Sequence, residues 1–208
     1  MSARPETLEY HSEVYDALSK KFLDDKTLAR FAGEIRDDKT RDLVARTIVQ
    51  TFSLTPKSFV AKFSESCDCL VKSRMATQAE AEILKRIGEA YAREDEDQAR
   101  ALWQEVEKLA GSSELFGRIQ AQAEQTRAQS DDGGRRSFWG LIGGLIGAIV
   151  GGILIGAPGI GLGWNVGREL AFLLHDDYQS SLPPTTEPRT ANVRAMPNGD
   201  PCTGPIWR

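Results

Sequence analysis

Residues 137–167 read SFWGLIGGLIGAIVGGILIGAPGIGLGWNVG, thirty-one positions without a charge and with eleven glycines. As a helix, the twenty residues from Phe138 to Ala157 would extend about 30 Å, the thickness of a bilayer's hydrocarbon core. Arg135 and Arg136 precede the run, with Phe138 and Trp139 where an interfacial aromatic belt is expected. Trp164 and Arg168 are the matching interface candidates at its far end. Gly143, Gly147 and Gly151 recur at every fourth position, so they share one helix face. Gly140 with Gly144, and Gly152 with Gly156, add further pairs. Beyond Pro158, Gly159, Gly163 and Gly167 form a second row of the same spacing. Glycine on a helix face admits another backbone to close range, a packing force that works even in lipid. In water each such glycine costs about 1 kcal/mol of helix stability against alanine. A chain that carries so many is expected to use them for contact.

Three placements of this run remain open on the residues: a single membrane anchor, a membrane-inserting hairpin, and a core hairpin wrapped by other helices. A phosphate loop is the poorest reading. Gly156, Gly159, Gly161 and Gly163 do mimic a strand followed by a glycine turn. No lysine follows them, and no second strand pattern comes after Leu174. Residues 140–167 resemble the glycine-zipper class of membrane sequences, which implies self-association through the glycine faces. Helices followed by an uncharged stretch with Pro158-Gly159 near its middle also resemble the pore-forming domain of colicins. In that family a bundle of amphipathic helices shields an apolar hairpin until it inserts. Two full spans need about 40 apolar residues, more than the run provides, so each arm would be short.

Upstream, residues 1–130 read as consecutive amphipathic helices. Leu8, His11, Tyr15, Leu18 and Phe22 form one stripe, Leu28, Phe31 and Ile35 a shorter one, and Val44, Ile48 and Phe52 a third. Thr55-Pro56 is a helix start, with a hydroxyl at the cap position and a residue that lacks an N–H behind it. Phe59, Phe63, Cys67 and Leu70 continue from there. Thr77 and Glu80 have capping-box spacing ahead of Leu84, Ile87 and Tyr91. Leu102, Val106 and Leu109 form a helix expected to end at Gly111, and Leu115, Phe116, Ile119 and Ala123 a last, weaker stripe. The reading is an all-α chain: a helical bundle over 1–130, a polar hinge over 131–137, and a glycine-zipper membrane element with a short amphipathic extension over 138–178. A proline-rich tail over 179–208 is expected to be disordered, having few apolar side chains to offset the entropy of ordering. The start, Met1-Ser2-Ala3-Arg4-Pro5, has no signal-peptide pattern.

With 26 Lys+Arg against 30 Asp+Glu and a net charge of −4, the 208-residue chain has no basic footprint for nucleic acid. Two histidines and three cysteines leave little material for metal or acid–base chemistry, and no catalytic constellation is legible, so neither enzyme activity nor a cofactor is expected. Cys67 and Cys69 read as buried structural thiols, His11 as a core-edge residue and His175 as part of a solvated polar helix end. The acidic groups Asp24-Asp25, Asp37-Asp38, Glu94 to Asp97 and Asp131-Asp132 fall at helix junctions, where the helix dipole accounts for them. They are also the groups that acid would neutralise if insertion were pH-triggered. The functional expectation is a membrane-inserting, self-associating protein that forms pores or disrupts bilayers, in the manner of a toxin or cell-death effector. The alternatives are a membrane-anchored adaptor whose helical domain holds a protein partner, and a soluble interaction module. The expected partners are a lipid bilayer and copies of the chain itself. In a single span, the arginines before Phe138 would keep the N-terminal domain cytoplasmic.

Overall fold

The computed structural model describes residues 8–23, 35, 37–129, 135–174 and 189–190. The chain is all-α. Its helices are α1 (Ser12–Phe22), α2 (Asp38–Phe52), α3 (Pro56–Lys72), α4 (Gln78–Ala92), α5 (Glu96–Leu109), α6 (Glu114–Gln129), α7 (Arg135–Ile155) and α8 (Ala157–Phe172). A two-residue strand, β1 (Glu9–Tyr10), pairs antiparallel with β2 (Arg189–Thr190).

The periodic apolar residues are the core, except Leu109, which closes its helix on the solvent side and is exposed. Val44, Ile48, Phe59, Phe63, Cys67, Leu70, Leu84, Ile87, Leu102, Val106, Phe116 and Ile119 are all buried, and the weak stripe of α6 is as deeply buried as the rest. Two departures are local. α1 begins only at Ser12, and its core face is Val14, Leu18 and Phe22, with Tyr15 only half-buried. Leu8 lies outside any helix because the next two residues are extended. Their backbone is used across the α2–α3 junction: His11 N–H donates to Ser53 O at 2.8 Å, and Thr55 N–H donates to Glu9 O at 3.0 Å. Glu9 N–H in turn donates to Ser58 Oγ at 3.0 Å. The expected helix around Leu28 and Phe31 lies outside the described residues, as do the expected tail apart from Arg189–Thr190, most of the hinge, His175, Asp24-Asp25 and Asp131-Asp132.

Helix starts follow cap chemistry where a side chain reaches the free backbone N–H groups. The Thr77–Glu80 box is formed in both directions, at 2.6 Å and 3.3 Å. Asp37 accepts from Thr40 N–H at 2.8 Å, and Asp95 accepts from Gln98 N–H at 3.0 Å, so two of the acidic clusters are N-caps. Thr55 departs from its expected role. It occupies the N-cap of α3 with Pro56 behind it, but its hydroxyl makes no cap bond and is buried without a partner. α5 ends at Leu109, two residues before Gly111, which lies in the following turn.

These helices surround α7 and α8. α2 lies against both arms of that pair, α6 touches both, and α3 and α4 pack on α7. One continuous apolar core therefore runs from Val14 to Ala171. The contrasting threonines give a direct check by chemical denaturation. Thr77→Ala should destabilise by about 1 kcal/mol, the usual worth of an N-cap bond. Thr55→Val, which removes only an unpartnered hydroxyl, should leave stability unchanged or raise it.

Candidate functional site

The apolar run folds as a helical hairpin with a one-residue turn. α7 and α8 run antiparallel, and Gly156 between them has φ 73° and ψ −150°, a region open essentially to glycine alone. The turn thus falls two residues before the expected Pro158-Gly159. Pro158 sits instead in the first turn of α8, where a missing N–H is harmless. Gly156 is not on a packing face, since a Cβ there would meet nothing within 4 Å. Its value is the turn.

The two glycine rows meet each other. Gly143 faces Gly167, Gly147 faces Gly163, and Gly151 faces Gly159. In each case a Cβ on either residue would collide with the backbone carbonyl of its opposite, and one on Gly147 would also lie 2.9 Å from Gly167 Cα. Backbone cannot swing aside as a side chain can, so the seam excludes even a methyl group. Ala171 continues the α8 row one step further, against Gly143. It was legible as the next member of the i, i+4 series, yet was not expected in the seam. Gly140, Gly144 and Gly152 do a different job: they seat the Phe172 ring, the Trp164 indole and the Ile160 side chain. The glycine face expected to bind other copies of the chain is thus occupied within one chain.

The expected interface residues are placed as follows. Phe138 and Trp139 are buried, at 5% and 2% exposure. Trp139 meets Tyr91 edge-on at 5.8 Å, and the Arg100 guanidinium lies 4.2 Å above the Phe138 ring. Trp164 is completely buried over Gly144. Arg168 pairs with Glu169 at 3.1 Å and lies over the Phe172 ring at 5.9 Å, with its Nε buried and unpartnered. Arg135 and Arg136 form the first turn of α7. The tip is the opposite of this base: Leu154, Ile155 and Gly156 are half-buried, and Ala157 and Pro158 are exposed. Beside the tip an open groove of about 450 Å³ runs between Arg118, Gln122 and Gln125 of α6 and Pro158, Ile160 and Asn165 of α8.

Phe138–Ile155 is long and apolar enough to cross a membrane, with mean hydropathy 2.2, and 89% of it is buried inside the protein. Burial of this kind needs explanation in either solvent. The sheath helices supply side chains to the outside of the hairpin, whereas the hairpin's own seam is backbone on backbone.

Among the described residues no group of three or more His, Cys, Asp or Glu is placed to hold a metal ion. Cys67 is a free thiol, and burial pushes its pKa up to about 12. Cys69 is disulfide-bonded, a departure from the expected pair of thiols. His11 is half-buried at the N-cap of α1, in keeping with an edge position. Hydrogen bonds from the Thr40 hydroxyl and backbone N–H hold the Asp37 carboxyl below the usual carboxylate range. Because its folded pKa is depressed, the contribution of this cap to α2 is present above the unfolded carboxylate pKa. It is lost as pH falls through the folded one. The chain matches no protein family, no curated protein and no solved structure.

Two neighbouring glycines separate propensity from packing. Gly161 has nothing within 4 Å of a Cβ position, so Gly161→Ala should stabilise by up to about 1 kcal/mol. Gly163→Ala gains the same propensity but drives a methyl into the Gly147 carbonyl. Its net effect should be a loss of about 1–3 kcal/mol, the usual range for overpacking. Equal, stabilising effects in thermal melts would disprove the seam. A second check uses Cys67. With a thiol pKa near 12 and almost no exposure, it should resist alkylation at pH 8 in the folded chain and react at once in denaturant.

Proposed function

We propose that this protein is a membrane-inserting protein that stores its apolar hairpin inside a water-soluble sheath. The observation that carries the reading is the difference between the two kinds of contact the hairpin makes. Its internal seam is made of facing glycine backbones and is self-contained. Its contacts with the sheath are side-chain contacts, such as Trp139 on Tyr91 and Phe138 under Arg100, and Ile142, Leu145, Ile146 and Ile149 are all buried. Acyl chains can replace those contacts at little cost, since lipid is as apolar as leucine. Nothing in water can replace them. The hairpin can therefore exchange sheath for bilayer while its own structure stays intact. The half-exposed Leu154 and Ile155 and the exposed Ala157 and Pro158 give it a leading end already at the surface.

The charged outer faces of α1 to α6 suit the stored form. Pore formation and toxicity in the manner of a cell-death effector are the further step of this reading. Self-association then has to use surfaces other than the Gly143–Gly147–Gly151 row, which the second arm covers. No catalytic step, cofactor or nucleic acid enters the proposal. The rival reading is a soluble helical interaction module, and the 89% burial of the apolar window favours it specifically. In that case the hairpin is simply the core.

Flotation on vesicles of mixed zwitterionic and anionic lipid, combined with Cys67 alkylation, distinguishes the two. Insertion predicts co-flotation at pH 4.5 or pH 7, with faster Cys67 alkylation as the hairpin leaves the helices around it. Protein that stays at the bottom of the gradient at both pH values, with Cys67 still protected, would establish the soluble module instead.

A further inference from the structure

We infer that the hairpin enters a bilayer tip-first as a preformed wedge and stops partway, with both its ends on the side of entry. The inference rests on the membrane-inserting reading above and adds its depth and direction. The antiparallel register fixes which residues of the two arms lie at the same level. From the turn at Gly156, the apolar part of α7 runs back to Phe138, 18 residues and about 27 Å of helix. On α8 the uncharged part ends at Gly167, because Arg168 and Glu169 follow. That arm offers eleven residues, about 17 Å. The hairpin moves as one body, its arms joined by a single residue and by a seam too tight for sliding, so the shorter arm sets the depth. A bilayer's hydrocarbon core is about 30 Å thick. Even with Arg168 reaching back toward the headgroups by the length of its side chain, about 6 Å, the tip falls short of the far leaflet's surface.

The surroundings of Arg168 fit a stop. The Phe172 ring sits beside it and against Gly140, which directly follows Phe138 and Trp139 in α7. When Arg168 lies at the headgroup level, these three aromatics occupy the interface on the entry side, and Arg135 and Arg136 lie outside it. Trp164, one turn nearer the tip, lies inside the hydrocarbon. Forcing the charge pair deeper is opposed by the cost of placing an arginine in hydrocarbon.

The test uses the full chain with Ala157→Cys at the exposed tip, added to vesicles. The reagent is a membrane-impermeant maleimide, either outside or trapped in the lumen, and labelling at that site is read by mass spectrometry. The expected result is flotation with the tip protected from both sides. Adding Arg168→Leu and Glu169→Leu should lengthen the uncharged arm and make the tip reactive from the lumen. Lumenal labelling of the tip without those changes would overturn the partial-depth wedge while leaving membrane insertion standing. Flotation with the tip fully reactive from outside would overturn it too, since the tip would then not lead. Protein that fails to float in the Ala157→Cys form and in the unsubstituted chain alike would overturn the insertion reading, and the wedge with it.

Discussion

Backbone against backbone, along the line where Gly143, Gly147 and Gly151 face Gly167, Gly163 and Gly159, is the contact on which the rest of this protein depends. Close approach of two helices brings each one's Cα–H groups against the other's carbonyls, and only glycine leaves room for it. The cost is the low helix propensity of glycine, carried many times over in two successive helices. That cost is offset because the seam lets two apolar helices bury large faces on each other with almost no turn between them. A side chain anywhere in the row would open the hairpin. The sheath would then have to accommodate a wider body, and the dense placement of Trp164 and Phe172 over Gly144 and Gly140 would be lost.

A second consequence is that the sheath and the hairpin are held by different physics. Around the outside, large side chains interdigitate: Trp139 on Tyr91, Phe59 stacked on Phe63 at 5.6 Å, and Arg100 over Phe138. Such contacts are worth what their burial from water is worth, and they lose that value when the solvent is hydrocarbon. Surface ion pairs such as Arg46–Asp42 and Arg118–Glu114 add little to either state. The interior seam does not depend on water in the same way. A body with a solvent-dependent shell and a solvent-independent inner hairpin is suited to changing environment without refolding its centre.

Much of the fold was legible because helical periodicity and cap chemistry are local. The stripes of α2 to α6 and the Thr77–Glu80 box needed only spacing and residue type. Where local logic failed, a partner distant in sequence had intervened. Leu8 to Tyr10 read as the start of a helix but were drawn into extended pairing beside the α2–α3 junction. Thr55 had the right residue type for a cap, yet its hydroxyl makes no bond while its backbone N–H donates to Glu9 O. The turn was misplaced because proline and glycine together look like a stronger break than Gly156 alone. Pro158 in fact suits the first turn of a helix, and only a positive φ at Gly156 lets α8 start so soon.

By itself the sequence showed that residues 137–167 are apolar and suited to close packing through glycine, since so many glycines at four-residue spacing are otherwise a cost to a helix. It also determined that amphipathic helices would precede them. Only the tertiary structure decided what the glycine faces touch. The row in α7 and the row in α8 carry the same pattern and would fit another copy of the chain as well as each other. What selected the internal pairing was the one-residue turn at Gly156, which brings the second row opposite the first at effectively unlimited local concentration. Burial of Phe138, Trp139 and Trp164 was likewise decided in three dimensions, because an aromatic flanking an apolar helix suits a headgroup layer and a protein core equally, and the helices packed around it settle which.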